Sequence, residues 1–223
     1  MNQPHDIEVP TDLLLQLRKL LPKRSLTNAQ AMTVAEVQAR RLRKLLGITR
    51  PDADLTWMLR TPNVVVKGLA AHEIRDIAKG DASGLTTRLK NGDYFIAINR
   101  NRNHWHRRFT LAHEIKHWLD FPYADTVYGK LGYGNTEMRD RQIERICDHF
   151  AAHFLMPANL LKNAWGNGFQ DVTALAGMFN VSEEAMQIRL TNEGFIGNDM
   201  PTISLFRRVG LVAELPQECC NVA

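Results

Sequence analysis

Cysteine is scarce in this sequence. Three cysteines occur in 223 residues, Cys147 alone and Cys219 beside Cys220, and so few exclude the class of disulfide-rich secreted proteins. No apolar run approaches the roughly 18–20 residues that a membrane-spanning helix needs. The polar, acidic start MNQPHDIEVPTD also lacks the apolar segment of a signal peptide. We therefore expect a cytoplasmic protein with reduced thiols and no membrane association.

Composition and charge point to a soluble globular chain. Hydrophobic residues make up 44% and charged residues 23%, values that exclude wholesale disorder. The formal net charge is +4, and between Arg18 and Arg50 nine Lys or Arg residues accompany a single acid, Glu36. Such a stretch is either a nucleic-acid-binding surface or a solvated helix face. We favour the helix face, which is the commoner case.

The spacing of apolar residues predicts helices at the start of the chain and strands after them. TDLLLQLRKLLP, residues 11–22, and TNAQAMTVAEVQARRLRKLLGI, capped by Thr27 or Asn28, have helical apolar stripes. NVVVKGL, residues 63–69, is typical of a strand, and GLTTRLKNGDYFIAIN of two strands joined at Asn91-Gly92. An Asn-Gly hairpin turn needs positive φ at both residues. We predict an α+β fold, mostly helical, with a small antiparallel sheet that contains residues 84–99 and packs against the next helix.

The second half of the chain is predicted to be helical. One helix runs from about Phe109 to Leu119, another ends before Pro157, and QDVTALAGMFNVSEEAMQIRLTNEG forms two short helices around a turn. The expected organisation is an N-terminal helical arm (1–26), a central domain (27–165), a helix-turn-helix-like segment (166–197) and a C-terminal tail (198–223).

The most informative motif is HExxH, from His113 through Glu114 to His117. On a helix, residues four apart project from the same face, so the two imidazoles can bind one metal ion. Glu114 lies about 100° round the helix, beside the metal, where it can act as general base on a water molecule. The apolar flanks indicate a largely buried helix. Buried histidines and a buried glutamate need partners, and this favours a metal.

A catalytic zinc site needs a third protein ligand and an open position for water. The metzincin spacing would place a histidine at position 123, which is Tyr123, so that class is excluded. Candidates lie on the next helix. Glu144 and Asp148 share one face, and one of them can bind the metal while the other orients a ligand histidine. The remaining candidates there are His149, His153 and Cys147, the last more typical of a small core residue.

Three blocks, RRFTLAHEIKHWLD, ERICDHFAAHFLMP and LAGMFNVSEEAMQIRL, closely resemble the ImmA/IrrE family of metallo-endopeptidases, and the resemblance covers roughly residues 28–195. It implies that Glu144 is the third metal ligand and that Asp148 supports the ligands. The family usually has glycine where this chain has Lys116 and alanine where it has Cys147. Neither difference removes a ligand.

The resemblance also implies an activity. Members of this family are cytosolic proteases of narrow specificity that cleave helix-turn-helix repressors of the XRE type and so relieve repression. The expected cofactor is one zinc ion, with manganese as the alternative, held by His113, His117 and Glu144, and Glu114 is the expected general base. A residue that stabilises the oxyanion of the transition state is also expected. The candidates are Tyr123, Tyr128, Tyr133, His149 and Arg107.

The helix-turn-helix-like segment suggests a competing function, a DNA-binding regulator whose metal site is sensory or inactive. Its second helix would present Glu183 and Glu184 where a DNA reader needs bases, and Arg189 is the only basic residue in that helix. We therefore expect a packing or substrate-docking module, a repressor protein as partner, and no direct binding to nucleic acid.

Overall fold

The computed structural model describes residues 7–197 and the backbone of residues 214–215. The tail predicted for residues 198–223, with Cys219 and Cys220, otherwise lies outside the described residues. The elements in chain order are α1 (Leu13–Arg18), α2 (Asn28–Leu45), a 3-10 helix (Thr56–Arg60), β1 (Val64–Leu69), α3 (Ala71–Ala78), β2 (Gly84–Leu89), β3 (Tyr94–Asn99), α4 (His104–Asp120), α5 (Ala124–Val127) between 3-10 turns Phe121–Tyr123 and Leu131–Gly134, α6 (Thr136–Leu155), α7 (Ala158–Gly166), α8 (Val172–Phe179), α9 (Glu183–Asn192) and β4 (Glu214–Leu215).

The predicted α+β fold is confirmed, and the sheet is mixed. The strands lie in the order β1-β3-β2-β4. β2 and β3 are antiparallel, as the hairpin predicts, whereas β1 pairs with β3 in parallel. The cause is the connection through α3, which carries the chain past β3 before the hairpin turns it back.

The hairpin loop differs from the Asn-Gly turn predicted. It spans four residues between the strands, and of these only Gly92 has a positive φ, at 92°. Asn91 instead accepts a hydrogen bond from the backbone N–H of Asp93 at 3.0 Å. This side-chain contact stabilises a longer turn, so that only one residue needs the left-handed region.

Alternating side chains divide the sheet between two cores. Ile96 and Ile98 of β3 face the main core, which α2, α4 and α6 build and to which Leu13 and Leu17 of α1 also belong. Phe95 belongs to a smaller cluster beneath α3. A period of two residues places neighbouring side chains on opposite faces of a strand. One face of the sheet therefore packs against the main core, where β2 and β3 lie directly against α4.

Helix α4 begins earlier than predicted, at His104 instead of near Phe109. Asn103 caps it, because its side-chain oxygen accepts a hydrogen bond from the N–H of His106 at 2.8 Å. Two further helices, α3 and α7, lie where the apolar periodicity predicts none. Within the described residues, no helix combines the length and the apolar character needed to cross a membrane.

The α8–α9 pair is attached to the rest of the molecule at its turn. Asn180 adopts the left-handed conformation there, with φ at 52°, a region in which asparagine is favoured among residues with a side chain. Its carbonyl accepts a hydrogen bond from Arg108 of α4 at 3.1 Å, and its side chain lies 3.1 Å from His104. The pair is thus packed onto the start of α4.

Candidate metal centre

The HExxH helix buries all three residues of the motif. His113, Glu114 and His117 are 8%, 1% and 5% exposed. They lie in the second half of α4, whose other side chains pack into the main core. Polar groups in such a place are stable only when other groups satisfy them.

The side chains predicted as metal ligands converge. The Nε2 atoms of His113 and His117 are 3.1 Å apart, and the carboxylate oxygens of Glu144 lie 3.3 Å from the first and 3.5 Å from the second. Ligand atoms bound tetrahedrally at the usual zinc distances are separated by about 3.3 Å. The donor set and its spacing therefore fit one divalent metal ion.

Helix α6 supplies both the candidate carboxylate ligand, Glu144, and a group that contacts a histidine. Asp148, one turn after Glu144, lies 2.8 Å from Nδ1 of His113. When that nitrogen donates its proton to Asp148, Nε2 is left with a lone pair for a metal. This contact agrees with the supporting role that the family resemblance implies for Asp148.

The charges of these groups depend on one another. Burial would raise the pKa of Glu144, but hydrogen bonds from His113 and His117 hold it at about 2, so the carboxylate is ionised. Burial would lower the pKa of His113, whereas its contacts with Asp148 and Glu144 raise it well above its usual value. The carboxylates thus make the site strongly attractive to positive charge.

Glu114 has a different environment from that of Glu144. Burial raises the pKa of its carboxyl, and the nearby histidines partly oppose the shift. Thr86 of β2 contacts it: the Thr86 hydroxyl lies 2.7 Å from Oε2 of Glu114 and 3.2 Å from the backbone oxygen of Glu114. A carboxylate with a raised pKa, fixed beside a metal site, is suited to accept and return a proton.

Thr86 and Gly84 were not among the predicted site residues. Both lie on β2, in a segment whose composition indicates only a strand. A Cβ added at Gly84 would lie 2.6 Å from a methyl group of Thr110 and 2.9 Å from Oε1 of Glu114. Glycine therefore allows the strand to approach the HExxH helix closely, a requirement that no local pattern in the sequence reveals.

Replacing Gly84 by alanine is expected to move Glu114. The added methyl group overlaps the carboxylate and also lies 3.0 Å from the carbonyl oxygen of Ala97, so strand and helix must separate. We expect a stability loss of about 1–3 kcal/mol and weaker hydrolysis with metal content unchanged. Thermal unfolding and metal analysis of the variant test this. The matched control is Gly80→Ala, where a Cβ meets nothing within 4 Å.

Cys147 is a second candidate for the third ligand. Its sulfur and the ring nitrogens of His113 and His117 all lie within 4.8 Å of one another. Burial raises the pKa of the Cys147 thiol well above its usual value, which disfavours the thiolate that binds metals. Glu144 is ionised and contacts both histidines, so it is the stronger candidate, and Cys147 packs in the main core.

Lys116, at the family's glycine position, points away from the ligands. It is fully buried, and its ammonium group donates to Gln38 of α2 at 2.7 Å and to Asp120. Tyr128 donates its hydroxyl proton to the same oxygen of Asp120. The lysine therefore forms part of a buried polar cluster and leaves the ligand face of α4 open.

The structure places the five oxyanion candidates in different surroundings. Tyr128 is bound to Asp120, Arg107 lines a cavity of about 300 Å³ with Leu55 and Ile98, and His149 lies against His153. Tyr123 and Tyr133 are 43% and 92% exposed. These surroundings do not single out one of the five as the oxyanion-stabilising residue.

Comparisons with known proteins agree with this geometry. A Mycobacterium tuberculosis transcriptional regulator of known structure is similar to this chain, with 16% sequence identity and a TM-score of 0.54 over 80% of this chain and 51% of the regulator. At that identity the likeness concerns the fold alone, and this chain spans about half of the regulator's length. No curated protein matches the chain significantly. The family model described as the IrrE N-terminal-like domain, a peptidase family, matches residues 71–191. This match covers more than half of the sequence, and the chain belongs to that family.

Proposed function

We propose that this protein is a metal-dependent endopeptidase that cleaves a helix-turn-helix repressor of the XRE type. The observation that carries the proposal is the convergence of His113, His117 and Glu144 at separations of 3.1–3.5 Å. Glu114 lies beside them on the same helix. Membership of the peptidase family supports this activity.

Each residue has a distinct part in the proposed hydrolysis. A zinc ion held by the two histidines and Glu144, or manganese in its place, would supply Lewis acidity to the scissile carbonyl. Glu114 accepts the proton of the attacking water and returns it to the leaving amine. Thr86 holds the Glu114 carboxylate in position through its hydroxyl, and Asp148 keeps Nε2 of His113 available.

Loss of one metal ligand should be visible directly. His113→Ala is expected to lower the zinc content of the purified chain by one equivalent. The two remaining candidate ligands, His117 and Glu144, should bind zinc far more weakly than the three together. Elemental analysis measures this. His72→Ala, at an exposed histidine of α3, is the control and should keep the wild-type content. Equal content in wild type and His113→Ala would overturn the assignment.

The experiment on function uses a candidate helix-turn-helix repressor, and a small repressor encoded by a neighbouring gene is the first choice. The two are produced together, and the repressor is followed on gels for a fragment, with and without a zinc chelator. Metal-dependent appearance of a defined fragment supports the endopeptidase. An intact repressor, together with salt-dependent binding of this protein to duplex DNA, would instead support a DNA-binding regulator.

The surroundings of α9 disfavour DNA binding. Arg189, its only basic residue, is 4% exposed and donates to the carbonyl of Met156 and to His153. The exposed residues at the start of the helix are Glu183 and Glu184. Two of the basic residues between positions 18 and 50 are also structural, since Arg18 and Arg43 donate to backbone carbonyls of α4 and α6. These features suit a protein partner better than a phosphate backbone.

The acidic start of α9 gives a prediction about substrate docking. Charge reversal by Glu183→Lys with Glu184→Lys should slow cleavage of the repressor roughly three- to tenfold at low salt, through slower association with its basic DNA-binding face. The effect should shrink as salt increases, and the metal content should not change. Wild-type cleavage rates at low salt would move recognition elsewhere, for example to the loop between Tyr123 and Tyr133.

A further inference from the structure

A cavity of about 300 Å³ lies beside α4, away from the candidate metal centre. Four residues of α4 line it, namely His104, Arg107, Arg108 and Leu111. At about 100° per residue, they lie roughly 120–180° round the helix from His113. The other walls come from residues 54–59 and from the ends of β1 and β3. Neither Glu114 nor any candidate metal ligand lines this cavity.

The missing side chain at Gly68 leaves part of this space open. Gly68 pairs with Ile98 in the parallel register of β1 and β3, and paired residues project to the same face of a sheet. Ile98 belongs to the main core, and Val64 and Val66, on the same face of β1, pack against that core. A Cβ built at Gly68 would have the Cβ of Arg100 as its nearest neighbour, at 3.4 Å. A larger residue here would therefore project towards the cavity without a backbone clash.

Apolar side chains form the floor of the cavity. Leu55 and Ile98 are buried, and Leu111 packs against the main core. Leu59 also lines the cavity and is 61% exposed, so it lies where the cavity opens to solvent. An apolar floor that is reached from solvent is typical of a small-molecule site.

Arginines outnumber acids around the cavity. Among the described residues that line it, Arg100, Arg107 and Arg108 accompany a single acid, Asp54. The two carboxylate oxygens of Asp54 accept hydrogen bonds from the N–H and the hydroxyl of Thr56, both at 2.8 Å. Asp54 therefore stabilises the start of the 3-10 helix, and the lining keeps an excess of positive charge.

Arg107 is the cation that is available to a ligand. The guanidinium group of Arg108 donates to the carboxylate of Asp52 at 3.0 Å and to two backbone carbonyls, so it holds the fold together. Arg100 lies 4.0 Å from Glu73, at the outer limit of an ion pair. Arg107 is exposed, and its guanidinium group makes no hydrogen bond or ion pair with any residue that the structure describes.

We propose that this cavity binds a small organic carboxylate, with its apolar body over Leu55 and Ile98 and its carboxylate paired with Arg107. A guanidinium group matches a carboxylate because two of its N–H groups can donate side by side. The volume of about 300 Å³ is at the lower end of the range for small-molecule sites and suits a body of one or two rings. The excess of positive charge disfavours a cationic ligand. Binding here is independent of the proposed peptidase activity and can be measured without it.

Isothermal titration of the full-length chain with 1-naphthylacetate tests the proposal. This probe joins an apolar double ring to one carboxylate, and 1-naphthylacetamide has the same shape without the charge. We expect saturable binding of naphthylacetate and about tenfold weaker binding of the amide, because only the carboxylate forms an ion pair with a guanidinium group. No saturable binding of naphthylacetate, or equal affinities for the two probes, would overturn the proposal.

Substitution of Arg107 tests where the carboxylate binds. Arg107→Gln should weaken binding of naphthylacetate about tenfold and leave binding of the amide unchanged, because it removes the charge and not the apolar floor. The matched control is Arg75→Gln, at an exposed arginine of α3, which packs on the other face of the sheet. This control should bind both probes as wild type does. Equal affinity of wild type and Arg107→Gln for naphthylacetate would refute the site.

Substitution of Gly68 tests where the apolar body binds. Gly68→Val places a branched side chain in the cavity, and valine is favoured in strands. Binding of both probes should weaken by about tenfold or more, since the added methyl groups occupy the space of the ring system. Wild-type affinity for both probes in this variant would place the binding outside the cavity. If Gly68→Val proves unstable, the test at Arg107 still decides, because that side chain is exposed.

Discussion

Replacing Glu114 by glutamine is expected to reduce cleavage of the repressor by about 10²- to 10⁴-fold. The amide has nearly the same volume as the carboxylate but cannot accept the proton of the attacking water. Glu114 is 1% exposed, so no solvent molecule can readily replace it from outside. The measurement is the rate of fragment formation by purified protein at saturating zinc.

Two controls separate a lost base from a damaged site. The zinc content of Glu114→Gln should equal that of wild type, because Glu114 is not one of the converging ligands. Thr86→Val removes the hydroxyl that lies 2.7 Å from the carboxylate and should reduce the rate less than the glutamine variant does. Cleavage at the wild-type rate by Glu114→Gln would remove Glu114 from the base role.

The approach of the two histidines in the candidate metal centre was predictable because both lie on one helix. HExxH places two imidazoles on one face at a fixed spacing. The third ligand was harder, since Glu144 and Asp148 are one turn apart on α6 and the spacing alone does not separate them. The resemblance to the family distinguished them, and the structure places Glu144 against both histidines and Asp148 behind one.

Contacts between distant segments were not predictable from local patterns. Thr86 and Gly84 belong to a strand whose sequence fits any half-buried sheet, and their contacts with Glu114 depend on how β2 packs across α4. The parallel pairing of β1 with β3 has the same origin, because it depends on the path through α3. Periodicity predicts an element and the face it buries, but it does not identify the neighbour.

Lys116 shows the same limit at a single position. The sequence shows only that a lysine stands where the family usually has glycine, whereas the structure buries this lysine completely on another face of the helix. Its partners come from three segments: Gln38 on α2, Asp120 at the end of α4, and Tyr128, which contacts Asp120. Only the packing of α2 beside α4 brings these groups together.

Asp120→Ala is expected to destabilise the protein by about 3–5 kcal/mol. The change would leave the buried ammonium group of Lys116 without its carboxylate and the hydroxyl of Tyr128 without its acceptor. Total stabilities of domains are about 5–15 kcal/mol, so this is a large fraction. For a chain of this size the melting temperature should fall by about 6–20 °C, which calorimetry or circular dichroism can measure.

The controls for Asp120→Ala exploit the difference between buried and exposed ion pairs. Glu137 and Arg141 form an i,i+4 pair at 2.9 Å with side chains 64% and 46% exposed, so Glu137→Ala should cost less than about 1 kcal/mol. Adding Lys116→Met to Asp120→Ala removes the uncompensated charge and should restore part of the lost stability. If Asp120→Ala costs no more than Glu137→Ala, the buried cluster does not stabilise the fold.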